Sequence, residues 1–152
     1  MATSTLRFRA ETEKIHNEHL TFNHLLHQLD SALGRLECYS EVYANLATAE
    51  QVQRCGRRLV EQFPEHCCRA EASLLAPVSA VSPELGEFCG GVKNEHCQLL
   101  EQLGVFRAAL EELDRAEDLN EAVWHLKEKG KELTGNLRRH VDMVEQELSG
   151  FL

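Results

Sequence analysis

Long apolar runs are missing from this sequence of 152 residues. No stretch approaches the roughly 20 consecutive apolar residues that a membrane-spanning helix requires, so we expect a soluble protein. Residues 1–9 also lack the continuous apolar segment and small-residue cleavage site of a secretory signal. We therefore expect a cytoplasmic protein that forms a single domain over residues 1–152.

An excess of positive charge and paired cysteine motifs are absent as well. The chain has 25 acidic against 16 basic residues, and its formal net charge of −9 opposes binding to nucleic acid. None of the six cysteines forms a Cys-x-x-Cys pair, and we expect most of them to be buried small hydrophobic residues. Because there is no nucleotide-binding loop and no nucleophile with an adjacent base, enzymatic activity is the less favoured interpretation.

Glycine, proline and capping residues divide the sequence into four helical segments. Thr48 and Asp118 each begin a capping box, and Ser82 precedes Pro83. We predict helices over residues 5–37, 49–76, 83–113 and 119–149. Within them apolar residues recur three and four positions apart, which indicates an all-α, up-down-up-down four-helix bundle.

One histidine of each predicted helix lies on or beside the apolar stripe of that helix. These residues are His19, His66, His96 and His140. In an antiparallel bundle, residues equidistant from a turn face each other, so we expect the four imidazoles to share one buried layer. Burying them without partners would cost about 1–3 kcal/mol each, which indicates a metal that coordinates them.

The two halves of the sequence share short motifs. The segment Asn-Glu-His ends at His19 and again at His96, and a histidine with a glutamate five residues later occurs at His66 and again at His140. This repetition is typical of an internal duplication, and it predicts a bundle with pseudo-twofold symmetry.

The glutamates of the second motif are Glu71 and Glu145. Both can reach inward from the edge of the apolar face, and a π-bulge, for which Pro64 supplies a local cause, would bring the spacing of five into line. Histidine and carboxylate ligands favour iron or manganese, with zinc as an alternative, and two bridged ions are usual in bundles. The predicted metal ligands are His19, His66, Glu71, His96, His140 and Glu145. Glu18 and Glu95 are candidates for outer supports or surface residues, and His16 is a reserve ligand.

These residues resemble the hemerythrin-like (HHE) cation-binding family over nearly the whole chain. The matching segments are Glu18-His19, residues 63–77 with His66 and Glu71, Glu95-His96, and His140 with Glu145. The resemblance implies a four-helix bundle with a non-haem di-iron site that binds oxygen, senses oxygen or iron, or repairs iron-sulfur centres. The family usually has a glutamate four residues after the histidines of helices 2 and 4, where this chain has Ala70 and Val144. Glu71 and Glu145 are the candidate replacements.

Three functions follow from these expectations. The first is a non-haem iron protein, with two ions or with one, that binds or senses oxygen, nitric oxide or iron. The second is a degenerate, metal-free helical bundle that serves as an interaction domain. The third is an iron-dependent oxidase or peroxidase. The first predicts a stoichiometric metal that is lost in His66→Ala or His140→Ala.

Overall fold

The computed structural model describes residues 2–36 and 42–150, and within these ranges four long helices form and no strand. Helix α1 is Ala2–Arg35, helix α2 consists of Val42–Ala70, a π-helical turn Glu71–Leu75 and a last turn Ala76–Ser79, helix α3 is Pro83–Glu112, and helix α4 is Leu119–Ser149. Each helix packs against two others, α1 and α3 both contacting α2 and α4. The predicted all-α, up-down-up-down bundle is confirmed.

Two of the four predicted helix starts are confirmed by their caps, and α1 begins at Ala2, close to the predicted residue 5. The side chain of Ser82 accepts a hydrogen bond from the backbone N–H of Leu85, and that of Asp118 accepts one from Glu121, each at 3.2 Å. The predicted start at residue 49 is wrong, because α2 begins at Val42 and Thr48 lies inside it. No glycine or proline stands between residues 42 and 48, so nothing in the backbone stops the helix from extending beyond the capping motif.

The ends of the first two helices need separate comment. The predicted end of helix 1 at residue 37 lies outside the described residues, whereas α2 continues to Ser79, beyond the predicted residue 76. A π-helical turn is present at Glu71–Leu75, but it begins at Glu71, so the spacing between His66 and Glu71 is that of a regular α-helix and the predicted bulge between them does not form. The α-helix runs unbroken through Pro64, and the proline beside the π turn is Pro77, which has no N–H to donate.

The core has two apolar clusters, one toward each end of the bundle. The larger includes Phe22, Phe63 and Phe106, and the smaller includes Ile15 and Val144. Among the described residues, no helix combines the length and the apolar composition needed to cross a membrane. The buried histidines lie between the two clusters along each helix.

Phe106 of α3 is fully buried beside Gly56 of α2 and Gly130 of α4. A Cβ atom added at Gly56 would lie 2.6 Å from Leu110 Cδ1 and 3.1 Å from Phe106 Cε1. One added at Gly130 would lie 2.6 Å from Leu33 Cδ1. The two glycines therefore let the neighbouring helices approach this ring closely, which fixes the spacing of the bundle below the histidine layer.

Candidate metal centre

The structure brings the four histidines of the sequence analysis together in one buried layer, each from a different long helix. Each is only 1% exposed. The ring centroids of His19 and His66 are 5.0 Å apart, and those of His96 and His140 are 4.8 Å apart. Between these two pairs the distances are longer, 6.0 Å from His66 to His96 and 6.4 Å from His19 to His140. The layer therefore consists of two pairs, one from each half of the chain.

Aromatic side chains cover one side of the layer. The ring of Phe63 stacks on His66 at a centroid distance of 6.0 Å and meets His96 and His140 edge-on at 6.1 and 6.4 Å. Phe22 meets His66 edge-on at 5.1 Å. These rings keep water from the imidazoles on that side, so the charged form of each histidine is disfavoured there.

Burial lowers the pKa of all four imidazoles. It brings the pKa of His66 to about 2 and that of His140 to about 3, and the charges of neighbouring histidines add to the effect. The pKa values of His19 and His96 are lowered as well, again chiefly by burial. At neutral pH each ring is therefore neutral, with one N–H and one free lone pair, which is the form that binds metals.

A glutamate of a neighbouring helix contacts the outer nitrogen, Nδ1, of each histidine. The four contacts are His19 with Glu145 (2.7 Å), His66 with Glu18 (2.5 Å), His96 with Glu71 (3.1 Å) and His140 with Glu95 (3.4 Å). In these contacts α1 gives a glutamate to the histidine of α2, α2 gives one to α3, α3 gives one to α4, and α4 gives one to α1. The four contacts therefore connect all four helices in a ring. The last contact is an ion-pair distance without hydrogen-bond geometry, so Nδ1 of His140 forms no hydrogen bond.

A carboxylate at Nδ1 favours a proton on that nitrogen and leaves the lone pair on Nε2. Nε2 of His96 lies 3.2 Å from Nε2 of His140, and Nε2 of His19 is buried without any hydrogen-bond partner. Candidate ligand atoms of His19, His66 and His140 all lie within 4.8 Å of one another. Two nitrogens bound to one ion at about 2.1 Å lie roughly 3–3.4 Å apart. The Nε2 atoms of His96 and His140 therefore have the separation of two ligands of one ion, whereas His19, His66 and His140 form a wider group.

Glu71 and Glu145, predicted from the sequence as ligands, contact the outer nitrogens of His96 and His19 in this structure. Their direct ligation of a metal stays a prediction. Glu18 and Glu95 contact the other two histidines, so they are not unattached surface residues, and their role as outer supports of a metal stays a prediction. The sequence did not reveal this pairing because it depends on contacts between helices.

Other residues considered in the sequence analysis lie outside the layer. His16 has a side chain that is 49% exposed and contacts Glu145 Oε2 at 2.8 Å instead of pointing into the layer. The remaining histidines, His24, His27 and His125, are exposed. Burial raises the pKa of the Cys67 thiol to about 12, so this cysteine is a neutral thiol at physiological pH.

A helical bundle with a buried layer of neutral histidines, each with a carboxylate on its outer side, defines a class of proteins with an internal cation site. A family model described as the hemerythrin HHE cation binding domain matches residues 10–152, and the chain belongs to this family. No curated protein and no solved structure matches the chain.

Proposed function

We propose that the histidine layer binds two iron ions, one on the His19–His66 pair and one on the His96–His140 pair. The observation that carries the proposal is the unpartnered Nε2 of His19, which is buried together with three other neutral imidazoles. A marginally stable domain gains nothing from a buried polar atom without a partner, whereas a bound cation would satisfy it. The shorter ring distances within the pairs support one ion for each pair.

Neutral imidazoles surrounded by carboxylates suit iron, with manganese and zinc as alternatives. In this proposal the four histidines are ligands. Glu71 and Glu145 are either outer supports, as their contacts with Nδ1 favour, or direct ligands that replace the glutamates absent at Ala70 and Val144.

Glutamine variants distinguish the two roles of these glutamates. Glu71→Gln or Glu145→Gln would remove a metal ion if the glutamate is a ligand, because the neutral amide is a poor ligand for iron. An outer support would keep full stoichiometry with an affinity about 10–100-fold weaker. We expect the second result, measured as metal content and affinity side by side.

When bound, iron would supply the capacity to bind a small diatomic ligand, so we propose that the protein binds or senses oxygen, nitric oxide or iron, in the cytoplasm. The contribution of the chain is to hold the imidazoles neutral and to exclude water with Phe22 and Phe63. Because the free lone pairs of the layer are assigned to the metal, we propose binding and not catalysis.

The test is metal retention in variants of the layer. His66→Ala and His140→Ala should each lose at least one ion per chain, whereas His125→Ala, at an exposed position of α4, should keep the wild-type content. Full metal content in both layer variants would overturn the proposal. A stable wild-type bundle that takes up no metal would instead favour the metal-free interaction domain.

A further inference from the structure

We infer that the two histidine pairs hold their metals unequally, with His19–His66 as the tight pair and His96–His140 as the pair that releases its ion first. His16 and Arg69 are the positioning residues that create the difference. The inference rests on the proposed binding of two ions, and it concerns the supports of the glutamates on the outer side of the layer.

Both glutamates of the first pair are held at both oxygens. Glu145 contacts His19 through Oε1 at 2.7 Å and His16 through Oε2 at 2.8 Å. Glu18 contacts His66 through Oε2 at 2.5 Å and Arg69 through Oε1 at 3.1 Å. A carboxylate held at both ends has little freedom to turn, so each imidazole of this pair is fixed in the orientation that directs Nε2 inward.

The glutamates of the second pair are held less firmly. Glu71 contacts His96 at 3.1 Å, and Glu95 lies 3.4 Å from His140 without forming a hydrogen bond. Within the described residues, neither glutamate has a hydrogen bond or ion pair through a second oxygen. The imidazoles of this pair are therefore less constrained, and ordering them around an ion costs more conformational entropy.

Aligning the two halves of the internal duplication shows which residues make the glutamates of the two pairs differ. Aligning His19 with His96 places Lys93 where the first half has His16, and Lys93 forms no ion pair with Glu71 in the described structure. Aligning His66 with His140 places Met143 where the first half has Arg69. A thioether donates no hydrogen bond, so the second half lacks a guanidinium at this position. Arg139 of α4 interacts electrostatically with Glu95 but forms no ion pair or hydrogen bond with it in the described structure, so it does not hold the second carboxylate oxygen as Arg69 does.

Coulomb repulsion alone predicts that the His19–His66 pair, which lies near Arg69, binds its metal more weakly than the His96–His140 pair. A guanidinium near a cation site repels the metal, so removing Arg69 would tighten the first site if Coulomb repulsion were its main effect. A positioning role predicts weaker binding on the same substitution, because Glu18 would lose one of its two contacts. The direction of the change therefore separates the two effects.

The experiment is a titration of the metal-free protein with cobalt(II), followed by visible absorption and competed with a chelator of known affinity. The wild-type protein should bind two ions in steps whose affinities differ by about tenfold or more, the lower end of the effect of outer partners. Arg69→Gln should weaken the first step about tenfold and bring the two steps together. Arg58→Gln is the matched control, since it removes the same charge from an exposed position of α2.

A gain of affinity gives the second test. Met143→Arg places a guanidinium at the position equivalent to Arg69, where it can pair with Glu95, and should strengthen the second step, against the added repulsion. Asn120→Arg adds the same charge at an exposed position near the start of α4 and should leave both steps unchanged.

The outcomes separate this inference from the proposed function. Two equal steps in the wild-type protein, or equal effects of Arg69→Gln and Arg58→Gln, would overturn the inference while leaving two-ion binding in place. A failure of Met143→Arg to exceed its control would overturn the role assigned to the guanidinium. Binding of no cobalt would overturn the proposed function itself.

Discussion

Acidification of the metal-free protein should destabilise it through its buried histidines. In the unfolded chain an imidazole titrates near pH 6.5, whereas burial lowers the pKa of His66 to about 2 and that of His140 to about 3 in the fold. Between these values the unfolded chain binds protons that the folded chain does not. The free energy of unfolding therefore falls as the pH drops below about 6.5.

The size of the effect follows from the same linkage. At pH 5.5 each of these histidines should lower the free energy of unfolding by about 1.4 kcal/mol relative to neutral pH, or about 3 kcal/mol for His66 and His140 together. His19 and His96, with pKa values also lowered, act in the same direction. A domain of this kind is stable by about 5–15 kcal/mol, so the loss is a large fraction of the total.

Charged groups that face these histidines determine the pH range over which stability should be compared. Glu18 and Arg69 lie on the outer side of His66, and Glu95 faces His140. Burial raises the pKa of both glutamates, and their protonation in the fold offsets part of the loss at lower pH. The comparison is therefore made at pH 7.5 and pH 5.5, above the range in which the carboxyl groups dominate.

The assay is urea unfolding at the two pH values, followed by circular dichroism, with a chelator present. His140→Leu should reduce the pH dependence by about 1.4 kcal/mol, whereas His125→Gln, at an exposed site, should leave it unchanged. An equal free energy of unfolding at both pH values in the wild-type protein would contradict this prediction, because it would mean that the layer takes up protons in the fold.

Two further predictions concern the core and the cysteines. Phe106→Ala should lower the free energy of unfolding by about 3–5 kcal/mol and leave metal content unchanged. Val105→Ala, at an exposed position of the same helix, should lower it little. Equal losses of stability in a denaturant titration would contradict this prediction. Alkylation of the native protein, mapped by mass spectrometry, should modify the exposed Cys68 and Cys97 well before Cys67, because the Cys67 thiol is buried and its pKa is raised to about 12. Early modification of Cys67 would show that the layer opens.

Much of the fold could be predicted because local and long-range signals agree along most of the chain. Caps at Ser82 and Asp118 fixed two helix starts, and the apolar period fixed which face of each helix is buried. The start of α2 could not be predicted from Thr48. A capping motif can begin a helix, but where no residue before it breaks the backbone the helix can also extend past the motif, and here it extends back to Val42.

The inner layer was easier to predict than its supports. A histidine on an apolar stripe has its depth and level set by helical periodicity, so the four ligand candidates followed from spacing alone. The partner of each Nδ1 depends on helix rotation and on long, flexible side chains, which spacing does not determine. That is why Glu18 and Glu95 stayed undecided in the sequence and why His16, considered as a ligand, instead holds Glu145.

The most direct test of the account is the metal content of the untagged protein purified in air, measured together with its ultraviolet-visible spectrum. We predict about two iron ions per chain, the number that two histidine pairs can hold. A protein that contains no metal, and takes up none after anaerobic loading with iron, would show that the histidine layer is not a cation site.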